Sequence, residues 1–211
     1  PRVRRQRQMC IRDSREGAWL VKFRHTYDPK DIGRMEYKYN EVARKCGINV
    51  PDYKLLDGKY FASKRFDIEN GKRLHIATAG ALLNESISNP KLDYKVLLHL
   101  TGYLTQDSQQ VDEMFQRMVF NVLTDNKDDH VKNFSFICRE GKWSLAPAYD
   151  LTLCKEGYHG EHATSANNKR NPDIEDMLAV GESIRIPRRK GMEIINHMIN
   201  HCQEILSTRF E

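Results

Sequence analysis

The spacing of apolar residues along this 211-residue chain changes near residue 74. Before that point the pattern favours strands. Residues 18–24 (AWLVKFR) alternate apolar and polar positions, the two-residue period of a strand, with Lys22 inside it. Residues 34–46 (RMEYKYNEVARKC) predict a helix that Gly47 ends and Pro51 keeps from resuming. Residues 53–67 (YKLLDGKYFASKRFD) predict two strands about the turn Asp57-Gly58. From residue 74 onward helical spacing dominates, over residues 92–104, 111–124, 172–180 and 188–206. The second of these is the clearest: Val111, Met114, Phe115, Met118, Val119, Val122 and Leu123 share one face. The last carries Ile194, Ile195, Met198, Ile199, Cys202 and Ile205. These stripes predict core packing. No internal repeat interrupts them.

The pattern predicts an α+β chain of two lobes. A small β-rich N-lobe spans residues 16–70 and a larger helical C-lobe spans residues 71–211, with the boundary in the polar stretch 65–73 (RFDIENGKR). A cleft between such lobes is the expected ligand site.

Composition narrows the classes. Hydrophobic residues make up 39% and charged residues 30%, the balance of a globular domain. No apolar run approaches 18 residues, so no membrane-spanning helix and no membrane partner are expected. The N-terminus has arginines but no apolar core behind them, unlike a secretory signal. Five cysteines, odd in number and without a CxxC pair, argue against a disulfide framework or a zinc site. They fit a reducing cytosol, so a cytoplasmic location is expected.

The net charge of +5 has a single source. Residues 1–15 (PRVRRQRQMCIRDSR) hold six arginines and one aspartate, and the rest of the chain is balanced. The segment RQMCIRDS resembles translated sequencing-adapter read-through. Residues 1–15 are therefore expected to be a non-native or disordered basic arm. No function is drawn from them, and direct nucleic-acid binding is not expected.

The chemistry concentrates in residues 120–152 (FNVLTDNKDDHVKNFSFICREGKWSLAPAYDLT). A helix leads into an aspartate-rich loop, and FSFI and WSLA then form a hairpin about REGK. The hairpin folds the chain back, so Asn133 before it and Asp150 after it are expected to lie close together. Two oxygen donors at one point suit Mg²⁺, which takes one or two protein ligands plus phosphates and water. Asp128 and Asn133 form D-x-x-x-x-N, the spacing of a kinase catalytic loop, in which the aspartate accepts a hydroxyl proton and the asparagine holds a metal. Asp150 in Tyr149-Asp150-Leu151 then stands where the bridging-metal aspartate belongs. Lys132 places a positive charge near developing phosphate charge. Lys22 is the in-strand lysine expected to hold nucleotide phosphates, with Glu36 or Glu41 as its partner. Asp125 and Asp129 are expected to face solvent or stand behind the site. His159-x-x-His162 has the spacing of a metal pair, but Gly160 marks a loop and no third ligand is evident. Residues Glu161 to Ser165 are placed where kinases have an activation segment. Arg185, Arg188, Arg189 and Lys190 are expected to form a solvated helix start.

NVLTDNKDDHVKNFSF followed by WSLAPAYDLT resembles the kinase domain of HipA-type toxins, the serine/threonine kinases of bacterial type II toxin–antitoxin modules. EVARKCGINVPDYKLL, FASKRFD, RLHIATAGALLN and GEHATSANNKRNP agree, so the resemblance covers residues 17–205. It implies a two-lobed protein-kinase-like fold, ATP and Mg²⁺, and transfer to a protein serine or threonine, with aminoacyl-tRNA synthetases as family substrates. It implies a DNA-binding antitoxin of the HipB type as partner. By resemblance Asp128 is the catalytic base, and His130, Val131, Lys132 and Asn133 are nucleotide and metal contacts. Asp150 matches the metal aspartate beside Tyr149, and Lys22 the phosphate-binding lysine. Lys64, Arg65 and Phe66 match a hinge meeting adenine through backbone groups. Gly17 is the only glycine before residue 33, where the family has a glycine-rich phosphate loop, and the chain is expected to be the C-terminal part of a longer protein whose N-terminal domain contacts the antitoxin. The N-lobe is therefore expected to be truncated. The alternatives are a small-molecule phosphotransferase and an inactive antitoxin-binding fragment.

Overall fold

The computed structural model describes residues 7–13, 17–26 and 28–207. The chain runs through β1 (Arg7–Asp13), β2 (Gly17–Phe23), α1 (Ile32–Lys45), β3 (Tyr53–Leu56), β4 (Tyr60–Lys64), β5 (Ile68–Glu69), β6 (Lys72–Arg73), β7 (His75–Thr78) and α2 (Ala79–Leu83). It continues through α3 (Tyr94–Thr105), α4 (Ser108–Leu123), β8 (Ser135–Arg139), β9 (Lys142–Leu145), α5 (Ile174–Ser183) and α6 (Arg188–Ser207). The long helices and the strands β2, β3 and β4 fall where hydrophobic spacing predicts them. The short elements β5, β6, β7 and α2 were not predicted, because two to five residues carry too little periodicity to register.

The first lobe is an antiparallel sheet in the order β1-β2-β4-β3. Its first strand differs from expectation, since Arg7–Asp13 lies inside the stretch read as an arm. It pairs with β2 along its whole length, from Arg7 opposite Phe23 to Asp13 opposite Gly17. The physical reason is the outer edge of β2, a row of backbone donors and acceptors that a seven-residue strand satisfies whatever its charge. Helix α1 packs on β3 and β4. Its start sits so close to the β3–β4 turn that a Cβ at Gly33 would stand 2.0 Å from the Lys59 carbonyl oxygen. Glycine is thus required for the approach that brings α1, and with it Glu36, against the sheet.

In the second lobe aspartates start the helices. Asp93, Asp107 and Asp173 cap α3, α4 and α5 by accepting from Lys95, Gln109 and Asp176 backbone N–H groups. Tyr94, Leu97, Leu98, Met114, Phe115, Met118, Phe120, Met177, Leu178 and Ile195 fill the centre and are essentially without solvent contact. The core is continuous with Tyr39, Val42, Ala43 and Cys46 of α1, which also contacts α6. Strand β7 joins β8 and β9 in a three-stranded antiparallel sheet, so the expected hairpin is extended by one strand. No described helix is long and apolar enough to cross a membrane.

Candidate active site

Helix α4 delivers the chain to the aspartate-rich loop. Its last turn closes when Thr124 Oγ1 donates to the Phe120 carbonyl at 2.7 Å, and Asn126 N then bonds the Asn121 carbonyl at 3.0 Å. The loop makes a tight turn in which Asn133 N donates to the His130 carbonyl at 2.8 Å. Asn133 Nδ2 donates to the Asp128 carbonyl at 2.8 Å. The D-x-x-x-x-N spacing therefore closes on itself: the amide nitrogen braces the backbone of Asp128 and leaves the amide oxygen as the group able to ligate. His130 Nε2 lies 4.0 Å from Asp128 Oδ1.

The hairpin of β8 and β9 returns the chain to Tyr149 and Asp150. Tyr149 donates its hydroxyl to the Lys132 carbonyl and bonds Ser135 Oγ, fixing the return leg to the loop. Burial pushes the Tyr149 hydroxyl pKa up to about 12, so it remains a donor. Asp150 has φ +55°, a left-handed conformation that a non-glycine residue adopts at some cost and that turns its carboxylate out of line with the strand.

Lys22 of β2 closes the site. Its ammonium pairs with Asp150 Oδ1 and stands 3.3 Å from Glu36 Oε2. Of the two glutamates left open by the sequence, the structure chooses Glu36, which is 1% exposed. Burial would lower the Lys22 pKa, but the carboxylates of Asp150 and Glu36 outweigh it and hold it above the usual lysine value. Desolvation would raise the Asp150 carboxyl; the Lys22 ammonium, with a smaller contribution from His130, holds it below the usual carboxylate range.

A cleft of about 380 Å³ opens between the lobes at this pair. Lys22, Lys64, Arg65, Phe66, Tyr149 and Asp150 line it, together with the apolar Leu20 and Phe61. The Phe66 and Tyr149 rings meet at 5.6 Å across it. Six residues from three separate stretches of sequence thus converge on one opening. Other predicted residues are placed differently. Val131 is buried, and a Cβ at Gly80 would come within 2.9 Å of it, so its side chain packs in the core. The Lys132 side chain is exposed, and only its backbone engages Tyr149. The N–H groups of Lys64 and Arg65 already donate to Asp52 and Ala18 carbonyls at 2.7 and 2.8 Å. They are not spare donors for a ligand.

Asp129 stands behind the site, the second of the two places the sequence allowed it. Asp129 is not at the surface: its side chain is fully buried, and its Oδ2 accepts from Tyr94 OH at 2.7 Å and from His162 Nδ1 at 3.0 Å. His162 is therefore spent on a carboxylate rather than poised as half of a metal pair. The pairing left no sequence signal, because 33 residues separate the partners. The Asn133 amide oxygen and the Asp150 carboxylate are donors of the hard-oxygen type that Mg²⁺ takes, and no group of three His, Cys, Asp or Glu side chains among the described residues gathers to hold a metal.

The architecture defines a class. The chain superposes on a chain of the HipA–HipB–operator DNA complex of Shewanella oneidensis MR-1 with TM-score 0.77 at 20% identity, covering 97% of this chain and 57% of that one. It also superposes on the proinflammatory kinase CtkA of Helicobacter pylori with TM-score 0.58 at 14% identity, covering 96% and 93%. The fold is thus the two-lobed, protein-kinase-like one, with a small β-rich lobe over a larger helical lobe. The sequence profile of the HipA-like C-terminal domain matches residues 3–206, and the chain belongs to that family. A curated relative, "Putative kinase Y4dM" of Sinorhizobium fredii, is 27% identical over 172 aligned positions, with 73% of this chain and 42% of the relative covered. The chain spans less than half the length of that protein.

Proposed function

We propose that this chain is the catalytic part of an ATP- and Mg²⁺-dependent serine/threonine protein kinase of the HipA type, acting within a type II toxin–antitoxin module. The observation that carries the reading is the meeting of Lys22 with Glu36 and Asp150 at the cleft beside the Asp128–Asn133 turn. Lysine, helix glutamate and metal aspartate are the parts a kinase uses to seat nucleotide phosphates.

In this reading Leu20, Phe61 and Phe66 enclose an adenine ring, and the Lys22 ammonium moves from Asp150 toward the phosphates. Asn133 and Asp150 would hold Mg²⁺, which when bound neutralises phosphate charge. The Asp128 carboxylate, 44% exposed, accepts the proton of an approaching serine or threonine hydroxyl. The exposed Lys132 supplies positive charge at the mouth. A HipB-type antitoxin is the partner that the likeness to the Shewanella complex supports, and a protein acceptor of the aminoacyl-tRNA synthetase kind is the one the sequence resemblance implies.

Calorimetry of ATP with and without Mg²⁺, on this chain and on Asp150→Ala, tests the nucleotide site. Mg²⁺-dependent binding lost in the variant is the expected result. No binding by the parent chain at millimolar ATP would defeat the reading in favour of a non-catalytic binding role. Radiolabel transfer from ATP, with Asp128→Ala as control, tests the base: equal labelling by both would remove Asp128 from that role.

A further inference from the structure

The buried Asp129 lies one residue from the proposed base and has no part in the chemistry above. Its partners come from two other parts of the fold. Oδ2 accepts from Tyr94 OH of α3 at 2.7 Å, and that hydroxyl itself accepts from Asn121 Nδ2 of α4 at 2.9 Å. Oδ2 also faces His162 Nδ1 at 3.0 Å, and since a carboxylate can only accept, Nδ1 carries the proton. Oδ1 accepts from the Thr164 N–H at 3.2 Å, and the Asp129 carbonyl accepts from the Thr164 hydroxyl. His162 and Thr164 are 3% and 1% exposed.

The segment that follows Asp150 grips the same loop at further points. Lys127 N donates to the Cys154 carbonyl at 3.2 Å, Ala163 N to the Lys127 carbonyl at 3.2 Å, and Lys127 Nζ to the Gly160 carbonyl at 2.8 Å. The loop and this segment therefore share backbone and side-chain bonds on both flanks of Asp128, and Asp129 is the one charged, buried member of the set.

We infer that Asp129, acting through His162 and Thr164, is a positioning residue that clamps the loop carrying Asp128 to residues 161–166, so that the base and the surface a protein hydroxyl approaches are set as one unit. The inference rests on the kinase reading proposed above. A buried carboxylate with this many donors holds its neighbours more rigidly than a solvated loop could. Its hydrogen-bond partners are not among the residues lining the cleft between the lobes, so the clamp acts through the loop that carries Asp128.

The test compares the parent chain with His162→Ala and His162→Asn, since the asparagine Nδ2–H can take the place of the imidazole Nδ1–H. Native-state hydrogen exchange and steady-state ATP hydrolysis are read on each. In His162→Ala, exchange at residues 127–133 and 161–166 should accelerate at least tenfold while β2 and β4 stay unchanged. Its turnover should fall at least tenfold, and His162→Asn should recover both exchange and turnover. Unchanged loop exchange, equal acceleration throughout the chain, unchanged turnover, or no recovery with asparagine would each overturn the clamp. Failure of the parent to bind ATP would defeat the kinase reading instead, and the exchange comparison, made without nucleotide, still decides the clamp.

Discussion

Lys22 on β2 and Asp150 beyond β9 lie 128 positions apart in sequence and form a direct ion pair. The Lys22 side chain is 7% exposed and that of Asp150 40%, so the pair has one dry end and one end open to the cleft. It ties the lobes together, and it occupies the carboxylate that a metal would need.

Lys22→Met removes the cation and leaves Glu36 buried without it. A broken buried pair costs about 3–5 kcal/mol, and solvent at Asp150 reduces that here, so a stability loss of about 2–3 kcal/mol is expected by urea unfolding. ATP affinity should fall at least tenfold, about 1.4 kcal/mol. Unchanged ATP affinity in a folded variant would show that Lys22 holds no phosphate.

Asp176 in α5 supplies a pH-dependent term. Burial would raise its carboxyl, but Asn167 Nδ2 at 2.9 Å, the Asp173 backbone at 3.1 Å and Lys169 at 3.0 Å hold it down to about 2. A folded pKa below the unfolded one stabilises the protein above the unfolded value of about 3.9, and that stability fades as pH falls toward 2. Asp176→Asn should therefore lower Tm at pH 7, with the difference from the parent shrinking between pH 4 and pH 2. A constant difference across that window would contradict the assignment.

Gly157 has φ +36°, and a Cβ there would meet the Glu161 carbonyl oxygen at 2.3 Å and Lys127 Cβ at 2.5 Å. Gly157→Ala should destabilise by about 1–3 kcal/mol. Because the clash falls on Lys127, the aspartate loop should move with it. Proteolysis between residues 155 and 162 should become faster in the variant, while a protease-resistant variant of parental stability would count against this packing.

Arg117 is buried within α4, where it donates to Glu113 and, at 2.7 Å, to the Ala146 carbonyl just before the Asp150 segment. Burial lowers the guanidinium pKa, opposed by Glu113. Arg117→Ala should cost about 3 kcal/mol in denaturant unfolding, since it leaves a buried carbonyl and part of a carboxylate without a donor. A loss under about 1 kcal/mol would mean that water replaces the guanidinium.

Much of this was present in local pattern. The face Met114, Phe115, Met118 and Val119 of α4 is buried as its spacing predicts, because helical period alone decides which side can meet a core. Asp128 and Asn133 meet through five-residue spacing, which needs no distant partner. Residue order alone also placed Asp150 after a hairpin, and Lys22 within a strand. The same local logic left Asp129 open between solvent and a place behind the site, and it gave no sign that His162 is its partner. Burial of such a group is settled by partners brought from elsewhere, and sequence spacing carries no record of them. Nor did it select Glu36 over Glu41 for Lys22, a choice the structure makes by placing Glu36 Oε2 3.3 Å from the ammonium. Sequence determined the elements and the reactive residue types, because both follow from short-range periodicity and side-chain chemistry. Tertiary structure alone decided which charges face each other and which lie in the dark, because those depend on the long-range closure of two lobes around one cleft.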